Sequence, residues 1–529
     1  MYISPLRRAA LTHAAGRRLS LARALFVCTV LYAGALFWIA PHPPLTDLPQ
    51  HAGQVALLHD LIEHTSPWQA LVRANYFTPY LIGYGVALPL TYVMSVSAAL
   101  KLVMTVAYYA FVACCVLLRK RFGGDERLDW LFIPGFFGFA FAWGFYTFLV
   151  AAPLGLLFVL LMHGYASAPS WARAAAVLFS GIILFFSHGL VFLFACTIGV
   201  GFVIIKQKRI ARIVPAMLPF VLLGVLCVAY AIVSYERDPL LALSNHGSSI
   251  KWDWDWRRPF SLPLYVWGAG KHDSVYLLIG ALMLAAPWLL RDGINRRDPA
   301  AAMPLLVVTI VWFLAPSVAM QTGYLFQRFA LFLMPAYAFV FHVAQRSSAR
   351  VEHIPRSSAP YPAREAMVQL MMMLGCWGFL GAQTARLHRF AIESASFETL
   401  LANTEPEERA LSLVFDESSP AYISPMAYRH YPAWYQAERH GFVDFNFAWF
   451  LPQIVRFKPD RLPAVTPGFF EETKQFDWKT NNGRLYRYFF VRNTQALPAG
   501  FFANDECDVV LVRKVDEWSL YERRRCSAN

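Results

Sequence analysis

Two side chains near the start of the sequence, Asp47 and His51, have the types and the spacing for acid–base chemistry. They are four residues apart in a helical pattern that begins near Pro49, so they can lie on one helix face. A carboxylate there can accept the proton of an attacking hydroxyl, while an imidazole can orient it or help to bind a divalent cation such as Mg²⁺ or Mn²⁺. Gln50, between them, is a candidate for substrate binding. The alternative is that Asp47 only caps the helix and His51 is a surface histidine.

Arg328 and His188 are two further polar candidates beside apolar runs. Arg328 ends a short polar loop, where its guanidinium can bind a lipid phosphate in a bidentate manner while apolar walls hold the lipid tail. His188 lies between two apolar runs, at a depth where polar groups are costly and often functional. The alternatives are a snorkelling arginine and a hydrogen-bonded packing histidine.

Residues 251–258 alternate tryptophan with charged side chains. In an extended chain the tryptophans share one face, and Trp254 is a candidate for stacking on a sugar ring. Arg257 and Arg258 are candidates for binding a phosphate or anionic lipid head groups. Since tryptophan is common at the boundary between lipid and water, interfacial anchoring is the alternative.

The composition is that of a membrane protein. Of 529 residues, 57% are hydrophobic and only 15% are charged, and the mean hydropathy is +0.41, whereas soluble domains carry about 25% charged residues. The net charge of the chain is +13: residues 383–529 carry −1, and residues 1–382 carry +14, in short loops between apolar runs. This is the positive-inside pattern of membrane proteins, and it argues against nucleic acid as a partner.

The apolar runs predict a mainly α-helical bundle of about eleven spans over residues 1–382. Basic residues from Arg7 to Arg23 place the N-terminus inside and make the first run an anchor, not a cleaved signal peptide. An odd number of spans then places the C-terminus outside, and residues 41–96 form an outer loop in which Thr78–Met94 is a surface helix. The predicted spans are Ala24–Ala40, Ser97–Leu118, Leu128–Trp143, Thr147–His163, Ala174–Ser187, Gly189–Ile205, Val214–Ser234, Val275–Leu290, Pro304–Met320, Phe329–Val343 and Met367–Ala382.

The sequence predicts a soluble α/β domain over residues 383–529, on the outer side of the membrane. Leu411–Phe415 and Arg484–Val491 have strand patterns, and Tyr422–His440 is predicted to be rich in helix. A final hairpin places Cys507 opposite Cys526, so an oxidising compartment would favour a disulfide between them.

This layout resembles the GT-C superfamily of polytopic glycosyltransferases, which use sugars carried on a polyprenyl phosphate. The resemblance rests on the first span, Asp47 in the loop after it, the surface helix, and the second span with its basic end at Arg119–Gly123. It implies that Asp47 is the catalytic base and that an outward-facing arginine such as Arg328 holds the lipid phosphate. The chain lacks the paired acids of many members, because Leu48 follows Asp47, and Phe77–Tyr80 replaces their Pro-Pro-Leu-Gly motif.

The sequence therefore predicts a multi-pass enzyme of the bacterial inner membrane. It would move a sugar from a polyprenyl-phosphate carrier to a glycan, lipid or protein acceptor on the periplasmic face. Membrane lipids would be its other partners. A transporter or flippase of lipid-linked sugars is one alternative, although no internal repeat supports it. A non-catalytic assembly protein is another, with the aromatic-rich stretch Tyr428–Trp449 as a binding surface instead of a domain core.

Overall fold

A computed structural model gives the fold of most of the chain. It describes residues 21–235, 250–268, 274–319, 322–343, 361–422, 424, 426–467 and 473–527. A helical bundle is followed by a C-terminal domain built on a five-stranded sheet, and one hydrophobic core runs through both. The basic residues from Arg7 to Arg18 lie outside the described residues.

The bundle combines long membrane-type helices with shorter apolar ones. In the described ranges, five helices are long and apolar enough to cross a membrane, or six if a pair bent by 45° is one span; four more are shorter. The predicted number of about eleven is therefore not confirmed, although a multi-pass helical bundle is. The helices are α1 (Leu21–Trp38), α2 (Leu48–Ile62), α3 (Leu81–Ala87), α4 (Val96–Phe122), α5 (Phe132–Gly135), α6 (Phe139–Ala142), α7 (Tyr146–Ser167), α8 (Trp171–Ser187), α9 (Gly189–Gln207), α10 (Ile210–Ala216), α11 (Leu218–Tyr235), α12 (Arg258–Trp267), α13 (Ser274–Leu290), α14 (Met303–Leu314), α15 (Ala330–Phe339), α16 (Tyr361–Glu393), α17 (Ala395–Leu401) and α18 (Ala433–Arg439).

The prediction of a regular span over Leu128–Trp143 was wrong. This segment consists of a 3-10 turn and the four-residue helices α5 and α6, interrupted before Gly138, whose backbone is extended. A Cβ on Gly138 would lie 2.4 Å from the Val266 carbonyl oxygen, so α12 approaches this break closely. Irregular backbone at membrane depth is tolerated where protein surrounds it, and the side chains of this segment are largely buried.

Three other elements differ from the sequence prediction. The segment Thr78–Met94 holds only α3 and a 3-10 turn, Leu88–Tyr92, which begins where Pro89 cannot continue an α-helix. Helix α16 continues without a break across the predicted domain boundary at 382/383. Among the described residues of Tyr422–His440, only α18 is helical, and residues 426–432 form turns.

The C-terminal sheet has the order β5-β4-β7-β9-β8. Strands β5, β4 and β7 are parallel, and β9 and β8 add to this unit as an antiparallel hairpin. In that hairpin Cys507 pairs with Cys526, and a disulfide joins them. The strands of the chain are β1 (Val72–Ala74), β2 (Gly293–Ile294), β3 (Phe341–His342), β4 (Arg409–Val414), β5 (Phe442–Asp444), β6 (Val455–Phe457), β7 (Tyr488–Arg492), β8 (Cys507–Val515) and β9 (Trp518–Cys526).

The first loop and the C-terminal domain are packed together. Strand β1 of the loop pairs with β6 of the domain in an antiparallel ladder. The Gln54 side chain accepts a hydrogen bond from the Val455 amide, and a Cβ on Gly53 would lie 2.5 Å from Nε2 of Gln436. Helix α2 is therefore buried along most of its length, which fixes the position of its N-terminal end.

Candidate active site

A cavity of about 190 Å³ lies where the N-terminal end of α2 meets the bundle and the C-terminal domain. Its walls are mainly aromatic, with a small group of charged and amide side chains among them. A concave site that is mostly apolar, with a few converging polar groups, is the usual form of a ligand pocket. The lining residues are Asp47, His51, Tyr80, Trp143, Phe145, Thr147, Thr322, Gly323, Tyr324, Arg328, Arg429, His430, Phe445, Phe447, Phe450, Pro452 and Gln453.

Asp47 stands in the N-cap position of α2, yet its carboxylate makes no capping hydrogen bond and lines the cavity instead. The Asp47 amide donates to the Trp143 carbonyl, 2.8 Å away, which ties the loop to the turn before α7. That turn contains Gly144 at φ 70°, where a Cβ would lie 2.9 Å from the Leu48 amide nitrogen. The backbone therefore holds the carboxylate in the cavity, and the alternative of a simple helix cap does not describe its geometry.

Burial raises the pKa of Asp47 to about 7, although the positive charges of Arg328 and Arg429 oppose the shift. A general base works best when its pKa lies near the working pH, because it is then ionised often enough and still binds a proton well. The Asp47 carboxyl group has this property. Two positively charged side chains lie near Asp47: Arg328 from the bundle and Arg429 from the C-terminal domain.

Arg328 is a buried cation at the wall of this cavity. Its guanidinium carbon lies 3.6 Å above the centre of the Phe145 ring, one nitrogen donates to the Gly323 carbonyl at 2.9 Å, and Tyr80 offers its hydroxyl. The residue is only 8% exposed, and Nε has no hydrogen-bond partner among the described residues. A buried guanidinium with an unused donor at a cavity wall is suited to bind a phosphate oxygen.

His51 faces the same cavity, with its tautomer set by a hydrogen-bond chain. The Tyr84 hydroxyl donates to Oε1 of Gln453 and so accepts from Nδ1–H of His51, at 2.6 Å. Burial, together with the charge of Arg328, lowers the pKa of His51 to about 3. The imidazole is therefore neutral, with its proton on Nδ1 and an acceptor lone pair on Nε2.

His188 and Gln50 lie behind the cavity wall. Nδ1 of His188 accepts from the Leu190 amide and caps α9, while its ring packs 5.0 Å from that of Tyr80, which lines the cavity. The Gln50 amide nitrogen donates to the Phe445 carbonyl, and its oxygen accepts from the Phe447 amide. These two polar side chains thus support cavity-lining residues.

The candidates from the tryptophan-rich stretch are not among the residues that line the cavity. Arg258 is buried and donates to the carbonyls of Trp312 and Phe313, at the C-terminal end of α14, where a cation is favoured. Arg257 is exposed. Trp254 is 65% exposed and stacks on Trp252 with the ring centres 6.0 Å apart, as expected for interfacial anchoring.

Sequence reasoning missed the contribution of the C-terminal domain to this site. Arg429 and His430 reach the cavity from the turn before α18, and Arg429 is held by two hydrogen bonds to Glu417. The adjacent basic pair inside an aromatic stretch was the available signal. That stretch, Tyr428–Trp449, divides into a core part and a part that lines the cavity, to which Phe447 belongs.

The donor set gives no support to a metal site. In the described part of the chain no three His, Cys, Asp or Glu side chains come together as metal ligands. The Asp47 carboxylate has two guanidinium groups nearby, and Nδ1 of His51 already donates to Tyr84. We therefore derive no step through Mg²⁺ or Mn²⁺.

The whole architecture is a helical membrane bundle with a C-terminal α/β domain, and a known structure shares this fold. ArnT from Cupriavidus metallidurans, solved bound to undecaprenyl phosphate, is a structure with this fold. It matches 95% of this chain and 98% of its own with a TM-score of 0.54 at 11% sequence identity. This match shows a shared fold, which agrees with the fold that the sequence resemblance implied. No protein-family model and no curated protein matches the sequence.

Proposed function

We propose that this chain is an integral membrane glycosyltransferase that takes its sugar from a polyprenyl-phosphate carrier. The observation that carries the proposal is the shared cavity of Asp47 and Arg328. A base with a pKa of about 7 and a buried guanidinium with a free donor face one apolar-walled space at the edge of the bundle. A lipid-linked sugar phosphate needs this combination, and the matching fold of a protein solved with undecaprenyl phosphate supports it.

The proposed reaction is a single displacement at the anomeric carbon of the donor sugar. The acceptor hydroxyl oxygen forms the new bond to that carbon, and its proton goes to the Asp47 carboxylate. The bond from the anomeric carbon to the phosphate oxygen breaks, and its electron pair stays on the phosphate. Arg328 stabilises that developing charge, because its donors are oriented before the reaction begins. Nε2 of His51 accepts a hydrogen bond from a sugar hydroxyl.

The acceptor is proposed to be a glycan, lipid or protein on the periplasmic face of a bacterial inner membrane. The N-terminus would then be cytoplasmic, and residues 383–529 would form a periplasmic domain. The charge asymmetry of the loops and the disulfide of the final hairpin support this orientation. Reporter fusions after Asp47 and at the C-terminus test it: both positions should report periplasmic, and a cytoplasmic carboxylate would exclude the proposal.

The decisive experiment separates binding of the carrier from transfer. The full chain in lipid nanodiscs is titrated with undecaprenyl phosphate and assayed with a panel of polyprenyl-phosphate sugars. We expect Arg328→Ala to weaken carrier binding tenfold or more, and Asp47→Asn to keep binding but lose transfer by at least 100-fold. Arg461→Ala, which removes an exposed arginine, is the control.

Two outcomes would contradict the proposal. If normally inserted Asp47→Ala and Arg328→Ala variants each keep full transfer activity, neither side chain has the assigned role. Alternatively, proteoliposomes could move the lipid-linked sugar without forming any glycosylated product, which would make the chain a transporter.

A further inference from the structure

His430 brings the C-terminal domain close to the proposed base. Its Nε2 lies 3.7 Å from Oδ1 of Asp47, and the imidazole is only 7% exposed. The residue belongs to the turn before α18, far from Asp47 in sequence. The C-terminal domain therefore contributes a side chain to the surroundings of the Asp47 carboxylate in the first loop.

Gln50 determines which nitrogen of His430 carries the proton. The orientation of the Gln50 amide is set by two backbone contacts, since its oxygen accepts from the Phe447 amide and its nitrogen donates to the Phe445 carbonyl. The same nitrogen lies 3.4 Å from Nδ1 of His430, so Nδ1 is the acceptor. In a neutral imidazole the proton is then on Nε2, the atom that faces Asp47.

We infer that His430 is a positioning residue for Asp47. Its Nε2–H, aimed by Gln50, holds the Asp47 carboxylate in the orientation in which it takes up the proton of the attacking hydroxyl. The inference rests on the proposed function for the role of Asp47, but the contact itself can be measured without any transfer reaction. It also assigns Gln50 a supporting role in place of the predicted substrate contact.

The electrostatics of the site agree with this assignment. Burial, with the charge of Arg429, lowers the pKa of His430 to about 3, so the ring is neutral and donates one N–H. Three groups on neighbouring elements face Asp47 besides His51 on its own helix: Arg328 and Tyr80 of the bundle and Arg429 of the C-terminal domain. An N–H donor aimed at a carboxylate favours its ionised form and lowers its pKa.

The test measures the protonation of Asp47 directly. A small hydrophobic carbodiimide reacts with protonated carboxyl groups, so the rate of Asp47 labelling against pH, read by peptide mass spectrometry, gives the pKa of that group. In the full chain in nanodiscs we expect a midpoint near pH 7. His430→Leu should move this midpoint upward by roughly half a unit or more, because the carboxylate loses its donor. His430→Gln, whose amide nitrogen replaces Nε2, should stay close to the unsubstituted protein.

A matched control comes from the second histidine–aspartate contact between α2 and the same domain. His440 lies 3.0 Å from the Asp60 carboxylate, outside the cavity-lining set, and His440→Leu should leave the Asp47 midpoint unchanged. If His430→Leu does not fold, Gln50→Leu provides the test: it keeps the imidazole but removes the amide that fixes its tautomer, and the midpoint should again rise.

These outcomes distinguish the inference from the proposed function. An Asp47 midpoint that is identical with and without the His430 imidazole overturns the inference, whether or not the chain transfers a sugar. A midpoint that shifts in His430→Leu but not in His440→Leu supports it, even if every donor in the transfer panel fails. Where transfer is measurable, His430→Leu should lower kcat about tenfold, leave KM for the donor within twofold, and move the acid limb of the rate profile to higher pH.

Discussion

The guanidinium of Arg328 lies over the Phe145 ring, with 3.6 Å between its central carbon and the ring centre. This stacking keeps the planar donor group at the cavity wall while one nitrogen is anchored on the Gly323 carbonyl. Arginine is suited to both contacts because it is planar, delocalised and weakly hydrated, whereas a lysine ammonium is a compact, strongly hydrated charge. The identity of the cation should therefore matter as much as its charge.

Replacing Arg328 by lysine should not preserve carrier binding. We expect Arg328→Lys to weaken binding of undecaprenyl phosphate by about tenfold, since the bidentate geometry and the stacking are both lost. Isothermal titration in nanodiscs measures the change, with Phe145→Leu as the companion variant. Equal affinity of Arg328→Lys and the unsubstituted chain would mean that only the charge is needed.

Asp47 should make both activity and stability depend on pH. Its pKa of about 7 means that the base becomes ionised as pH rises, so transfer should increase through pH 7 and level off above it. The stability effect has the opposite sign. Because the folded-state pKa lies above the ordinary aspartate value of 3.8, the free energy of unfolding falls as pH rises from about 4 to about 7.

Asp47→Asn removes the free-energy cost of ionising a buried carboxyl group, so it should stabilise the chain while abolishing transfer. The predicted gain is on the order of 3–4 kcal/mol above pH 7 and shrinks toward pH 4. Melting curves of the two proteins in detergent at pH 5 and pH 8 give the comparison. Asp516→Asn is the control, because Asp516 is an exposed carboxylate in the turn of the final hairpin, at a φ of 51° that asparagine also adopts. A gain of the same size at both pH values would refute the burial argument.

The sequence predicted the parts of the fold that depend on local patterns. The long apolar helix α4 and the final hairpin with Cys507 and Cys526 lie close to their predicted bounds. The helix broken around Gly138 could not be predicted, because hydropathy alone cannot tell a membrane span from a segment buried within the protein. Its backbone breaks where α12 approaches it, a contact between distant parts of the chain.

In the site too, local sequence patterns select some residues, whereas contacts between distant parts of the chain determine others. Asp47 and Arg328 could be selected because a carboxylate and an arginine beside apolar runs are unusual at membrane depth. His430 could not, since its importance comes from the packing of α2 against a domain whose position no local pattern specifies. Arg258 shows the reverse case: it has the right chemistry, but the fold uses it to bind carbonyls at the end of α14.

Gly144 should be essential to the site although it carries no reacting group. At φ 70°, a Cβ here would be strained and would lie 2.9 Å from both the Leu45 Cβ and the Leu48 amide nitrogen. Gly144→Ala should therefore push the loop that holds Asp47 away from its turn and lower kcat at least tenfold. Gly164→Ala is the matched control, because a Cβ at that helical position meets nothing within 4 Å. Transfer assays on both variants, normalised to folded protein, decide the point; equal activities would contradict it.

His42 should join the first loop to the C-terminal domain in a pH-dependent way. Its ring stacks on Trp434 at 4.3 Å and lies between the carboxylates of Glu398 and Glu438. Burial lowers the pKa of His42, but the two carboxylates outweigh burial and raise it above 6.5. Because the folded-state pKa is raised, this stabilisation is complete below pH 6.5 and is lost as pH rises through the folded-state pKa. His42→Phe keeps the stacking and loses the charge, so it should lower the free energy of unfolding by about 1–2 kcal/mol at pH 6, and by less at pH 9.

Melting curves at the two pH values measure this difference, and a control variant separates the carboxylate contacts from general packing. The Thr46 hydroxyl lies 3.0 Å from the Ser424 hydroxyl in another contact between the first loop and the domain, and neither side chain is an acid or a base in this range. Thr46→Val should therefore change stability by a similar amount at pH 6 and pH 9. A His42→Phe variant whose loss also stays constant between these values would show that the imidazole is not charged in the folded chain. The contact between loop and domain would then depend on Trp434 stacking and the β1–β6 ladder alone.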